Sequence, residues 1–210
     1  MAKQQGIRNQ ITKYQTAKKL IEFMDNLVVA DVDNYAKIHS TGGEGTFPSR
    51  IKITMLDYTN GTGDKKVEVG YNLVPSEFKY LYKIVSDCPK DFSYKLEKIN
   101  EHKVEGGFSP VTKISLNRQE EYNGQKKNYP WTIRIENGRG IAEKTDIGGT
   151  KIKAGSYTKE KEVFINLNDM DMFKQFCAVM DYITYWEMAY GIPLIKRGKE
   201  KLNSLYTTKS

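Results

Sequence analysis

The chain has 210 residues, 39% hydrophobic and 28% charged, which suits one large domain or two small ones with a real core. Its apolar runs are too short for a membrane-spanning helix, and its N-terminal residues MAKQQGIRNQ contain no hydrophobic leader region. Two cysteines, Cys88 and Cys177, make neither a disulfide framework nor a zinc site, and a net charge of +7 favours polyanionic partners.

The first predicted element is a helix from Asn9 to Asn26, with Ile11, Tyr14, Ala17, Leu20, Ile21 and Met24 at helical spacing. LVVADV reads as a short strand, and STGGEGTFPS (40–49) as a loop of turn formers. RIKITMLDY (50–58) and KKVEVGYNL (65–73) alternate around the turn TNGTGD and predict a β-hairpin. PSEFKYLYKIVSD (75–87) reads as a helix, with Pro75 in its first turn and Phe78, Leu81 and Val85 on one face.

Further strands are expected at 92–99, 111–119 and 129–137, and two more within GGTKIKAGSYTKEKEVFINLND (148–169). Residues 168–191 predict a long helix capped by Asn168 or Asp169 and stopped by Gly191 and Pro193. Cys177 falls within its apolar pattern as a core thiol. Tyr182, Tyr185, Met188 and Tyr190 leave the helix apolar nearly all round, which suits an oligomer interface. Beyond it, residues 191–210 read as a flexible tail with five basic residues against Glu200. The fold class is therefore α+β, largely antiparallel sheet with peripheral helices, in a single domain over 1–190. An echo between VGYNLVPSEFKYLYKIVSD (69–87) and VFINLNDMDMFKQFCAVMD (163–181) raises the alternative of two pseudo-repeats, 28–90 and 91–190.

Catalytic motifs are scarce. His39 and His102 have no metal-spaced partner, and GTGDKK (61–66) lacks the spacing and the strand-to-helix setting of a phosphate loop. DVDN (31–34) lacks the glycine and distal glutamate of a calcium loop, and NDMD (168–171) fits helix capping. The expectation is a protein that is not an enzyme, with no cofactor and no catalytic or metal site.

The sheet's outward face is more informative. If the apolar alternation marks the core side, the other side carries Lys52, Thr54 and Tyr58, then Lys113, Ser115, Thr132, Arg134, Lys151, Lys153 and Phe164. Cations neutralise phosphates, and exposed aromatic rings stack on unpaired bases. Lys52, Tyr58, Lys113, Arg134, Lys151, Lys153 and Phe164 are the candidate nucleic-acid-binding residues, with Tyr122, Tyr129 and Tyr157 beside them. The same face also suits a protein-interaction or inhibitor module, because antiparallel sheets commonly expose one side and tyrosine-rich surfaces bind proteins.

Strand sets each closed by a helix, with the Asn-Leu…Phe-Lys echo, resemble the whirly-type single-stranded DNA-binding fold and the related transcriptional positive-cofactor fold. The resemblance is architectural and covers about residues 28–190. The whirly signature KGKAAL is absent and TKIKAG (150–155) is only loosely similar to it, so no site residue is carried over by motif. It implies sequence-tolerant binding of single strands and oligomerisation. The combined expectation is a cytoplasmic, homo-oligomeric single-stranded DNA-binding protein with no membrane partner. A lysine-, tyrosine- and asparagine-rich composition suits the AT-rich coding of a phage or mobile element.

Overall fold

A computed structural model describes residues 9–43 and 46–207. It is α+β, and its two main sheets are antiparallel throughout. The first sheet is a meander of β1 (Gln10–Gln15), β2 (Lys19–Asn26), β3 (Arg50–Asp57) and β4 (Val67–Leu73), followed by α1 (Pro75–Asp87). The second repeats the plan with β5 (Asp91–Ile99), β6 (Ser109–Gln119), β7 (Trp131–Gly140) and β8 (Thr158–Leu167), followed by α2 (Asp169–Thr207). Minor hairpins pair Thr41–Gly43 with Thr46–Pro48, Glu121–Tyr122 with Gln125–Lys126, and Ala142–Lys144 with Thr150–Ile152.

The expected N-terminal helix is instead the β1–β2 hairpin. Ile21 and Phe23 point inward beside Tyr14 and Thr12 of β1, and β2 pairs with β3 along its whole length. An isolated apolar pattern fits either period, and the β3 ladder decides between them. The turn itself lacks Gly, Pro and Asn; the Thr16 hydroxyl serves in their place, accepting the N–H groups of Lys18 and Lys19 at 3.4 and 3.0 Å. LVVADV is not a ladder strand: Val29 forms one bridge with His39, and a 3-10 turn follows over Val32–Lys37. The expected loop at 40–49 contains the first minor hairpin; its residues 44–45 lie outside the described residues.

The hairpin at 50–73, α1 and the later strands stand where alternation and capping place them. The echo marks equivalent places, because β4–α1 and β8–α2 each close a sheet. Its Phe-Lys match is not equivalent: Phe78 is buried, whereas Phe173 is exposed and Phe176 fills the core.

Both sheets turn their apolar faces into one core shared with both helices. Phe23, Phe78 and Phe176, from β2, α1 and α2, meet at 4.9–6.1 Å in one stack and two edge contacts. The sheets are also tied through the edge of β4. The Asn137 side chain accepts the Gly70 N–H at 2.9 Å and donates to the Gly70 carbonyl at 3.0 Å, imitating a strand rung. Asn137 reaches this edge from a register shift in the β7–β8 ladder, and Gly138 beside it has no room for a Cβ against the Thr158 carbonyl. Lys98 donates to the next edge carbonyl, Asn72, at 2.9 Å.

One buried charge organises the second unit. The Arg118 side chain is 3% exposed; its Nε and Nη2 each donate to Asp169 at 3.1 Å, and Nη1 donates to the Pro89 and Lys90 carbonyls at 2.6 and 3.0 Å. Trp131 Nε1 donates to the same carboxylate at 2.8 Å. Asn168 caps α2, its Oδ1 accepting the Asp171 N–H at 2.7 Å.

Helix α2 passes through Gly191 and Pro193 and continues to Thr207, so these residues do not stop it and 191–207 is helix rather than a flexible tail. Tertiary packing overrides the stop signals. Gly191 lies on Ile38, Leu194 is buried, and Gly198 sits where a Cβ would strike the Tyr35 ring. Lys201 ion-pairs with Asp33 on the same segment. Residues 208–210, with Lys209, lie outside the described residues. Cys177 is half-buried at the side of the helix, not in the core. Among the described residues no helix is long and apolar enough to cross a membrane.

Replacing Asp169 with Ala strands the Arg118 charge and is expected to cost about 3–5 kcal/mol in urea melts. Arg118 holds the Asp169 carboxyl below its ordinary range. The pair therefore stabilises fully above the unfolded carboxyl value of about 3.9 and loses its effect as pH falls through the lower folded value. Accordingly, the stability gap between wild type and Asp169→Asn should shrink below about pH 4. Gly198→Ala should push α2 off the Tyr35 segment, costing about 1–3 kcal/mol and speeding amide exchange over 191–207.

Candidate nucleic-acid interface

The outward face of the second sheet follows from its register. Arg134 lies between Ser115 on β6 and Phe164 on β8, and Glu136 between Lys113 and Glu162. Lys95 and Glu97 of β5 complete the cross-strand rows beside Ser115 and Lys113. A shallow groove of about 560 Å³ runs over this face, lined among others by Lys95, Glu97, Lys113, Asn117, Arg134 and Glu136.

The face is charged with both signs. Arg134 Nη1 donates to Glu162 at 2.6 Å, Lys159 reaches the same carboxylate at 2.7 Å, and Lys113 lies 3.2 Å from Glu97. Lys159 and Arg134 hold the Glu162 carboxyl below its ordinary range, so it stays ionised at neutral pH. Lys113 also stands over the Tyr157 ring at 3.8 Å, and the Tyr157 hydroxyl donates to Glu136 at 3.2 Å. Burial and that carboxylate push Tyr157 up to about 12, so it remains a neutral donor.

Phe164 sits at the open end of this face. It is 37% exposed, with Lys19 Nζ 3.7 Å and the Arg134 guanidinium carbon 5.2 Å from its ring centre. Lys19 comes from the other sheet; it donates to the Phe164 carbonyl at 2.9 Å and lies 3.6 Å from Asp57. Beside the ring, a second cleft of about 320 Å³ is lined by Tyr14, Thr16, Lys19, Tyr129, Phe164, Ile165 and Asn166. Tyr129 is 52% exposed there. The cleft thus joins the β1–β2 hairpin to the edge of the second sheet, with three aromatic rings and one ammonium group.

Of the seven residues singled out from sequence, Lys113, Arg134 and Phe164 share this one face. Lys52 lies on the outward face of the first sheet, between Met24 and Asn72. Tyr58 follows β3 and donates its N–H to the Lys18 carbonyl at the β1–β2 turn. Lys151 is in a minor hairpin, 3.2 Å from Glu143, and Lys153 lies just beyond it, so neither belongs to the main sheet face. Lys19, Tyr14 and Lys95 were not among the candidates. The first two fall in the stretch with a helical apolar pattern; reading 10–26 at period two would have placed them on a hairpin.

A serine, a histidine and a glutamate do meet elsewhere. His39 Nδ1 is 3.0 Å from Ser49 Oγ, and Nε2 is 2.8 Å from Glu187, which also takes Lys79 at 2.7 Å. Ser49 is 1% exposed and its hydroxyl accepts the Val28 N–H at 3.1 Å, so it is not presented to a substrate. With His39 stacked on Trp186 at 4.9 Å, the trio pegs α2 to the connection between the 3-10 segment and β3. Among the described residues no group of three or more His, Cys, Asp or Glu is placed to hold a metal ion. Compared with family models, curated proteins and solved structures, the chain matches none.

Proposed function

We propose that the chain is a sequence-tolerant single-stranded DNA-binding protein, not an enzyme, that works in the cytoplasm as a homo-oligomer, in keeping with a phage or mobile-element origin. The observation that carries this reading is Phe164, a half-exposed ring flanked by Lys19 and Arg134 at the mouth of a cleft shared with Tyr14 and Tyr129. Two four-stranded meanders, each closed by a helix, supply the open sheet face that the reading needs; fold architecture alone does not assign function.

Binding on this face is an exchange of partners. Arg134 trades Glu162 for a phosphate, and Lys113 trades Glu97 for the next. Lys19 leaves the Phe164 ring, which then accepts a base. Release of counterions makes affinity fall with salt, and stacking supplies about 1–3 kcal/mol per base without reading sequence. Glu97, Glu136 and Glu162 keep the resting face close to neutral and compete with the incoming phosphates.

Fluorescence anisotropy with a labelled single-stranded oligonucleotide tests the reading, at low and moderate salt, beside the matching duplex. The single strand should bind more tightly, with a steep loss as salt rises. Phe164→Ala should weaken it about 5- to 100-fold, and Glu162→Gln should tighten it several-fold by removing a competing carboxylate. No binding at low salt would overturn the proposal and leave the face to a protein partner.

A further inference from the structure

A row of hydroxyls and amides crosses the outward face of the second sheet. Ser93, Asn117, Thr132 and Asn166 are cross-strand neighbours on β5, β6, β7 and β8. Ser93 Oγ donates to Asn117 Oδ1 at 2.9 Å, and Thr132 Oγ1 donates to Asn166 Oδ1 at 2.9 Å. The two pairs are alike, each hydroxyl giving its proton to an amide oxygen. Among the described residues, neither amide Nδ2 has a hydrogen-bond partner. The row therefore turns two NH2 groups, donors only, toward a ligand. They stand two strands apart, about 9.5 Å at the usual strand spacing, too far to serve one base edge together. Asn117 lines the groove that holds Arg134, and Asn166 lines the cleft that holds Phe164 and Tyr129.

We propose that these amides make the face prefer bases with an exocyclic keto group (thymine, uracil, guanine) over the amino bases cytosine and adenine. The inference rests on the single-strand reading of this face and adds a bias to it. Asn166 follows Phe164 by two residues on the same side of β8, about 6.7 Å along the strand. A base stacked on the ring thus turns its edge to the amide. A keto oxygen there accepts from Nδ2. An amino group there sets donor against donor and loses its water. Thr132 is a positioning residue: its hydroxyl holds the amide oxygen on the β7 side, so the NH2 is the group left to the ligand. Phosphate contacts through Arg134 and Lys113 are indifferent to the base. The face therefore still takes any single strand and discriminates by a small factor.

Competition anisotropy at neutral pH and fixed low salt compares oligo(dU) with oligo(dC) of equal length, pyrimidines that carry keto and amino groups at the same ring position. The dU strand should bind about 2- to 10-fold more tightly. The double variant Asn117→Ala, Asn166→Ala should abolish that ratio. Asn166→Asp, which turns an acceptor outward, should weaken both strands and shift the ratio toward dC. Thr132→Val should lose the ratio by gaining affinity for dC, because the released amide can turn; a merely structural residue would lose both strands alike. Alternating dG and dT against alternating dA and dC extends the comparison to purines. A shared preference assigns the contact to either keto base, and one confined to dU assigns it to the pyrimidine. Equal binding of dU and dC by the wild type, or tighter binding of dC, would overturn the inference and leave the single-strand reading standing. Binding of neither strand would overturn both.

Discussion

A guanidinium withdrawn from water must find partners for its charge and its N–H groups, and Arg118 finds them at the meeting point of four segments. Asp169 takes two of its donors in a forked pair, and the carbonyls of the Pro89–Lys90 connection take a third. Trp131 adds its indole N–H to the same carboxylate. The connection leaving α1, the strands β6 and β7 and the start of α2 are thereby fixed in one place. The second sheet's register relative to its helix, and so the row of groups it presents outward, depends on this cluster.

The first unit is tied on through the edge of β4. A free strand edge would invite pairing with another chain, and here Asn137 and Lys98 occupy it. Asn137 can do so only because the β7–β8 ladder slips beside Gly138, where a larger residue would collide with the Thr158 carbonyl. Closure along this edge lets both sheets bury their apolar faces in one core. It also brings the β1–β2 turn to the edge of β8, where Lys19 reaches Phe164.

Two kinds of surface remain outside that core. The sheet face is a set of reversible pairs: cations on carboxylates, cations on rings. Such a face is stable without a ligand and can exchange its partners one by one. The outer side of α2 exposes Tyr185, Met188 and Ile192 beside the charged Lys199. The two lie on different elements, the sheet face on β5 to β8 and the exposed apolar side chains on α2.

Local chemistry alone determined much of this protein. Alternation located β3 to β8 and predicted that Val163, Ile165 and Leu167 would be buried with Phe164 outside. Pro75 and Asn168 marked the starts of the helices, since a first-turn proline and a capping amide act within a few residues. Tertiary structure decided what local chemistry left open. Residues 10–26 fit a helix by spacing, yet β3 supplies a ladder that only a strand can use. Gly191 and Pro193 read as a stop, yet Tyr35 and Ile38 give the helix a surface to follow. Lys113, Arg134 and Phe164 could be assigned to one side by period, whereas Lys19 and Tyr14 join them only because two distant segments pack together. Lys151 and Lys153 show the reverse: alternation gave them an outward side, but Lys151 joins a small hairpin and Lys153 lies just beyond it, neither on the main sheet.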